Sequence, residues 1–75
     1  MPDEVLIFGK DTWPFTTSAR EGFAKTGKEV KYLNVVADPE QLELMLRHSG
    51  GKRKIPVIVE DDVVTIGFEG KYWRV

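Results

Sequence analysis

A chain of 75 residues, 41% of them apolar and 11% aromatic, holds enough material for one small core and not for two, so one domain over residues 1–75 is expected. Eleven Lys and Arg against twelve Asp and Glu leave a net charge of −1, without the basic excess that marks a nucleic-acid binder. The lack of any cysteine excludes disulfide staples and an iron–sulfur cluster. No run of roughly eighteen apolar residues is present to span a membrane.

The start, Met1-Pro2-Asp3-Glu4, has no positive stretch ahead of an apolar one. It does not read as a signal peptide, and the expected compartment is the cytoplasm. Val5-Leu6-Ile7-Phe8 is a short apolar run closed by Gly9, which predicts a strand buried on both faces. A polar loop, Lys10-Asp11-Thr12-Trp13, leads to Pro14, which suits the first turn of a helix because its missing N–H costs nothing there. Phe15, Ala19, Phe23 and Thr26 then recur at helical spacing until Gly27. Glu29 to Val36 alternates well enough for a second strand.

The second helix has the clearest start. Asp38 is the candidate N-cap, Pro39 takes the first helical position, and Gln41 stands where a capping box needs it. Leu42, Met45, Leu46 and Ser49 share one face, and Gly50-Gly51 ends the helix ahead of the basic loop Lys52-Arg53-Lys54. Pro56 to Val59 and Val63 to Ile66 predict two strands joined through Glu60-Asp61-Asp62 as an antiparallel hairpin. After Gly67-Phe68, residues 69–75 are expected to add a short C-terminal helical turn, although Gly70 weakens it. The order is β-α-β-α-β-β, an α/β arrangement whose first two strands run parallel through a right-handed crossover. A four-stranded mixed sheet fits it.

Several local strings then agree with one family. The strand Val5 to Phe8 is followed by Trp13-Pro14-Phe15-Thr16, Asn34-Val35 stands before Asp38-Pro39, Gly50 to Lys54 approaches Ile55-Pro56-Val57, and Ile66-Gly67-Phe68 makes a turn. In that order they resemble the glutaredoxins, which have the thioredoxin fold. The resemblance covers nearly the whole chain and implies thiol–disulfide redox chemistry and electron transport. It also sets Trp13 at the place of the family's nucleophilic cysteine and Thr16 at that of the second cysteine.

Thiol–disulfide exchange needs an ionised chalcogen, and a helix N-terminus supplies free N–H groups and a positive dipole end to hold it. Tryptophan is a poor cap, since its indole N–H donates where an acceptor is wanted. Three readings of position 13 stand side by side. Trp13 is native, with Thr12 or Asp11 capping the helix; or the position belongs to selenocysteine, whose UGA codon differs from the tryptophan codon UGG in one base; or Trp13 replaces an ordinary cysteine. Thr16 either hydrogen-bonds the selenolate or satisfies an orphan N–H, as Thr17 or Ser18 also can.

The resemblance implies a glutathione-binding surface as well. Lys10 with Lys52, Arg53 or Lys54 would clamp a carboxylate, the other reading being a solvated basic loop. Phe15 would lie beside the peptide or else in the helix core. Pro56 is the candidate for a cis bond that turns the Ile55 backbone toward an extended peptide, or else a trans residue opening an edge strand. Gly67, Phe68 and Glu69 would receive charged ends of the substrate at a helix N-terminus, although the family has two glycines here and this chain one. That single-glycine turn is closer to the glutaredoxin-like reductants served by thioredoxin reductase. His48 stands alone, so no metal site is expected; Tyr72 and Trp73 are expected to cover the core edge. The expected function is thus a glutaredoxin-like thiol or selenol–disulfide oxidoreductase, inactive with Trp13, acting on glutathione or a disulfide-containing protein. It would be a monomer with glutathione as co-substrate and no bound cofactor. The alternative is a non-catalytic module binding glutathione or a protein on the same fold.

Overall fold

The computed structural model describes residues 4–61 and 63–75. The acidic start at Met1-Pro2-Asp3 and Asp62 of the hairpin connection lie outside the described residues. The elements are β1 (Glu4–Gly9), α1 (Pro14–Ala24), β2 (Glu29–Asn34), α2 (Pro39–Ser49), β3 (Lys54–Ile55), β4 (Val57–Glu60), β5 (Val63–Ile66) and β6 (Trp73–Arg74). Four strands form one mixed sheet in the order β2-β1-β4-β5, with β1 and β2 parallel and the other neighbours antiparallel.

Strand β1 lies inside this sheet, and its alternating side chains explain why the run is apolar throughout. Val5 and Ile7 pack with Ala19 of α1 and with Ile58. Phe8 turns to the other face, where Val35, Met45 of α2, Ile55, Val57 and Val59 meet it. The helices therefore cover opposite faces, and a strand between two cores has no polar side to show.

The second helix starts and stops as its sequence predicts, with one difference of detail. Asp38 accepts from the N–H of Glu40 at 3.0 Å, one residue short of the capping-box partner, and Gly50 closes the helix in the left-handed region. Met45 and Ser49 are its buried positions.

The tail departs from the expectation. No helical turn forms after Gly67; Phe68 and Lys71 bridge to one another, and Trp73–Arg74 becomes β6. Glu69 and Gly70 both take positive φ, at 54° and 77°, which reverses the chain where a helix would have carried it outward. Strand β6 then pairs antiparallel with β3, placing Trp73 opposite Ile55 and Arg74 opposite Lys54. This two-stranded ribbon is separate from the main sheet.

Candidate functional site

The first loop and the N-terminus of α1 set the site. Trp13 is the N-cap, extended at φ −94° and ψ 112°, with Pro14 at the first helical position. The backbone turns tightly there, the Trp13 N–H donating to the Lys10 carbonyl at 3.3 Å and the Thr16 N–H to the Trp13 carbonyl at 3.0 Å. No side chain caps the helix, and its first turn carries no acidic residue. Neither Thr12 nor Asp11 takes the capping part. The Asp11 carboxylate accepts instead from the Tyr32 hydroxyl at 2.6 Å, and Arg20 lies over the Tyr32 ring at 4.0 Å. Burial, then the bond to Asp11, pushes the Tyr32 phenol well above its ordinary range, against the opposing charge of Arg20.

The indole of Trp13 is half-buried among aromatics. Its ring centroid lies 5.2 Å from Phe15 and 5.3 Å from Trp73, and it packs on the core cluster that contains Ile55. Its N–H is buried without a partner, and so is the hydroxyl of Thr16, a residue only 1% exposed. Thr16 therefore satisfies no orphan N–H. It reaches this depth because Gly9 has no side chain: a Cβ there would collide with the Thr16 side chain. In the sequence Gly9 is visible only as a strand end.

The Ile55–Pro56 bond is cis, and both residues are buried. The Pro56 carbonyl accepts from the Gly67 N–H at 2.7 Å; Gly67 has φ 89°, and the Lys71 carbonyl oxygen stands 3.0 Å from where its Cβ would lie, so a side chain there would be strained. Through β6, the Ile55 backbone and position 13 are joined by one side chain, that of Trp73.

Other expected site residues divide. Lys10 joins it, its ammonium 4.6 Å above the Trp73 ring. Lys54 lies over Tyr72 at 4.6 Å, Arg53 donates from Nε to the Val75 carbonyl at 2.7 Å, and Lys52 is exposed. These three, with Gly51, Tyr72 and Arg74, line an open depression of about 540 Å³. Phe15 is half-buried against Trp13. Phe68 is a correction: its ring packs with Phe23, 6.5 Å away, in the cluster on the α1 face. Glu69 is exposed in a turn, so residues 67–69 do not form a helix N-terminus and lack the dipole that was to receive a charged group. His48 is exposed, 5.8 Å from the Phe8 ring. Among the described residues no group of His, Asp and Glu could hold a metal ion, and no helix is long and apolar enough to cross a membrane.

The sequence model of the Glutaredoxin family matches residues 5–64. The chain belongs to the glutaredoxin family. Among solved structures it is similar to the glutaredoxin grx-1 of Archaeoglobus fulgidus, with a TM-score of 0.72 and 23% identity over 89% of this chain and 77% of that one. A sequence search of curated proteins gave no match. This glutaredoxin thus carries the family's α/β thioredoxin-like fold without a single cysteine. Its β6 strand lies beyond the matched residues. The contact of Trp73 with Trp13 and the tie of Tyr32 to Asp11 were both missed in the sequence. Each joins residues far apart in the chain, and neither has a local pattern to reveal it.

Proposed function

We propose that this glutaredoxin is a thiol or selenol–disulfide oxidoreductase whose nucleophile belongs at position 13, that the natural residue there is selenocysteine, and that Trp13 leaves this chain inactive. The observation that carries the reading is the uncapped start of α1, where a buried indole N–H and a buried Thr16 hydroxyl both lack partners. Free helix N–H groups, a hydroxyl donor and the nearby Lys10 suit an anion, and the indole brings a further donor to a place that wants an acceptor. A selenolate is ionised at neutral pH, so it acts without a second cysteine at position 16. Thr16 would donate to it and keep it charged.

In the proposed cycle the selenolate attacks a glutathione mixed disulfide. A selenium–sulfur bond forms, the sulfur–sulfur bond breaks, and the substrate leaves as a thiolate that takes a proton. A glutathione thiolate then attacks the selenium-bound sulfur, releasing glutathione disulfide and the selenolate. Glutathione supplies both electrons, and a thioredoxin-reductase system could supply them in its place. Glutathione is co-substrate rather than bound cofactor, and the protein acts as a cytoplasmic monomer.

The genomic codon for residue 13 is the first test, because a native UGG removes the selenium reading. The second is disulfide reduction by chains carrying Trp13→Cys or selenocysteine at that position. Activity with glutathione or with thioredoxin reductase is expected, and none with either would sink the redox reading.

One observation favours a non-catalytic binding module instead: Trp13 is already packed between Phe15 and Trp73, as a native aromatic would be. That module would answer glutathione or a protein peptide with chemical-shift changes in the unaltered chain.

A further inference from the structure

The side chain at position 13 is partly covered by the Trp73 ring. The two indoles lie 5.3 Å apart, and the Lys10 ammonium covers the outer one. The backbone edge beside that position is also taken. The Val75 N–H donates to the Arg53 carbonyl at 2.9 Å, and the hydrogen-bonding alternation of an antiparallel pair then makes Ile55 and Trp73 a mutually bonded pair. The segment from Lys71 to Val75 lies where an extended peptide would have to lie.

This cover is slight, although Val75 at its end packs on the core. Strand β6 is two residues long and belongs to no larger sheet; Tyr72 and Trp73 stay about half exposed, at 53% and 48%. It leaves the body of the domain through Gly67, Glu69 and Gly70, all with positive φ. Between the two bonded pairs, Lys54 and Arg74 face each other at the non-hydrogen-bonded position, where side chains approach most closely. Like charges set directly opposite weaken a strand pair.

We propose that residues 71–75 are an intramolecular strap that closes the site, and that an extended peptide substrate engages β3 only by displacing it. The inference rests on position 13 being the reacting position. It adds a substrate class to that reading: peptides and proteins presenting an extended segment able to take both backbone bonds of Ile55, in preference to thiols that have no peptide backbone.

The test is made on the full chain with a probe peptide of the strap's own sequence, Lys-Tyr-Trp-Arg-Val. Trp73→Pro removes the N–H that pairs with Ile55 and the ring that covers position 13, so it frees the edge. Millimolar peptide is expected to shift the amide resonances of Ile55 and Trp13 in the Trp73→Pro chain at least tenfold more tightly than in the unaltered one. Equal affinity in both, or no response at β3 in the folded variant, overturns the strap. Arg74→Glu gives a second measurement that does not depend on the proline variant folding. An acid opposite Lys54 should slow hydrogen exchange at the Val75 amide about fivefold, and unchanged or faster exchange counts against the strap. A redox arm separates the two ideas: in the Trp13→Cys background, Trp73→Pro should raise the rate on a peptide mixed disulfide about tenfold. Peptide binding with no reduction by any variant leaves the strap standing and removes the redox reading; reduction that Trp73→Pro does not change does the reverse.

Discussion

The two helices begin alike and end their first turns in opposite conditions. Each is eleven residues long, each has proline at its first position, and each follows an extended N-cap. At α2 the cap is Asp38, whose carboxylate takes the Glu40 N–H, and Glu40 adds an acid to the first turn. At α1 the cap is Trp13, no side chain accepts an N–H, and the first turn is free of acids. The buried hydroxyls repeat the contrast, for Ser49 of α2 donates to the Lys52 carbonyl at 2.9 Å while that of Thr16 has no partner. A helix end that satisfies itself is structural. The start of α1 leaves groups of the same kind without an acceptor.

The largest expected effect concerns a thiol placed at each start. In the Trp13→Cys chain the new thiol should titrate about two units below the usual 8.5, held by open N–H groups with Lys10 three residues away. In the Asp38→Cys chain the Glu40 carboxylate opposes the same dipole, so its thiol should titrate at least one unit higher than that at position 13. Thiolate absorbance against pH measures both, and equal values would erase the distinction between the helix starts.

Removing the cap that exists is next. Asp38→Ala should cost about 1 kcal/mol in chemical unfolding, since an orphan N–H loses its acceptor. Trp13→Ala also destabilises, but through lost packing, so Trp13→Phe should recover most of the loss. If Asp38→Ala is neutral, α2 has no need of its cap and the contrast is empty.

The hydroxyls give a change of opposite sign. Ser49→Ala should cost about 1 kcal/mol, whereas Thr16→Val, which keeps the shape and removes an unpaired group, should be neutral or stabilise by about 1 kcal/mol. A clear loss in Thr16→Val would mean that the Thr16 hydroxyl already has a partner.

The smallest effect sharpens the account of the first loop. Tyr32→Phe should cost about 0.5–1 kcal/mol at neutral pH by releasing Asp11. Because the fold raises the Tyr32 phenol, its contribution is complete below the ordinary phenol value of 10 and is lost as pH climbs beyond it. The phenylalanine chain should lack that alkaline loss; an identical alkaline profile in both chains would refute the assignment.

Much of this was legible in the residues. Asp38-Pro39 and Gly50 announced both ends of α2, the run Val5 to Phe8 announced a central strand, and four strings in order pointed to the family. Trp13 stood out because it breaks a capping preference that Asp38, at the same place in α2, obeys. The tail was misread as helical because its turn depends on positive φ at Glu69 as well as Gly70, and a glutamate does not advertise that conformation.

By itself the sequence determined the order of the two helices and of the four strands of the main sheet, the buried face of α2 and the unusual residue at position 13, because capping, turn chemistry and apolar period act over a few neighbours. Only the tertiary structure decided that Gly9 makes room for Thr16, that Phe68 serves the opposite core, and that Trp73 closes over Trp13. Those outcomes depend on which distant surfaces meet when the sheet forms, and contacts between distant residues leave no period to read along the chain.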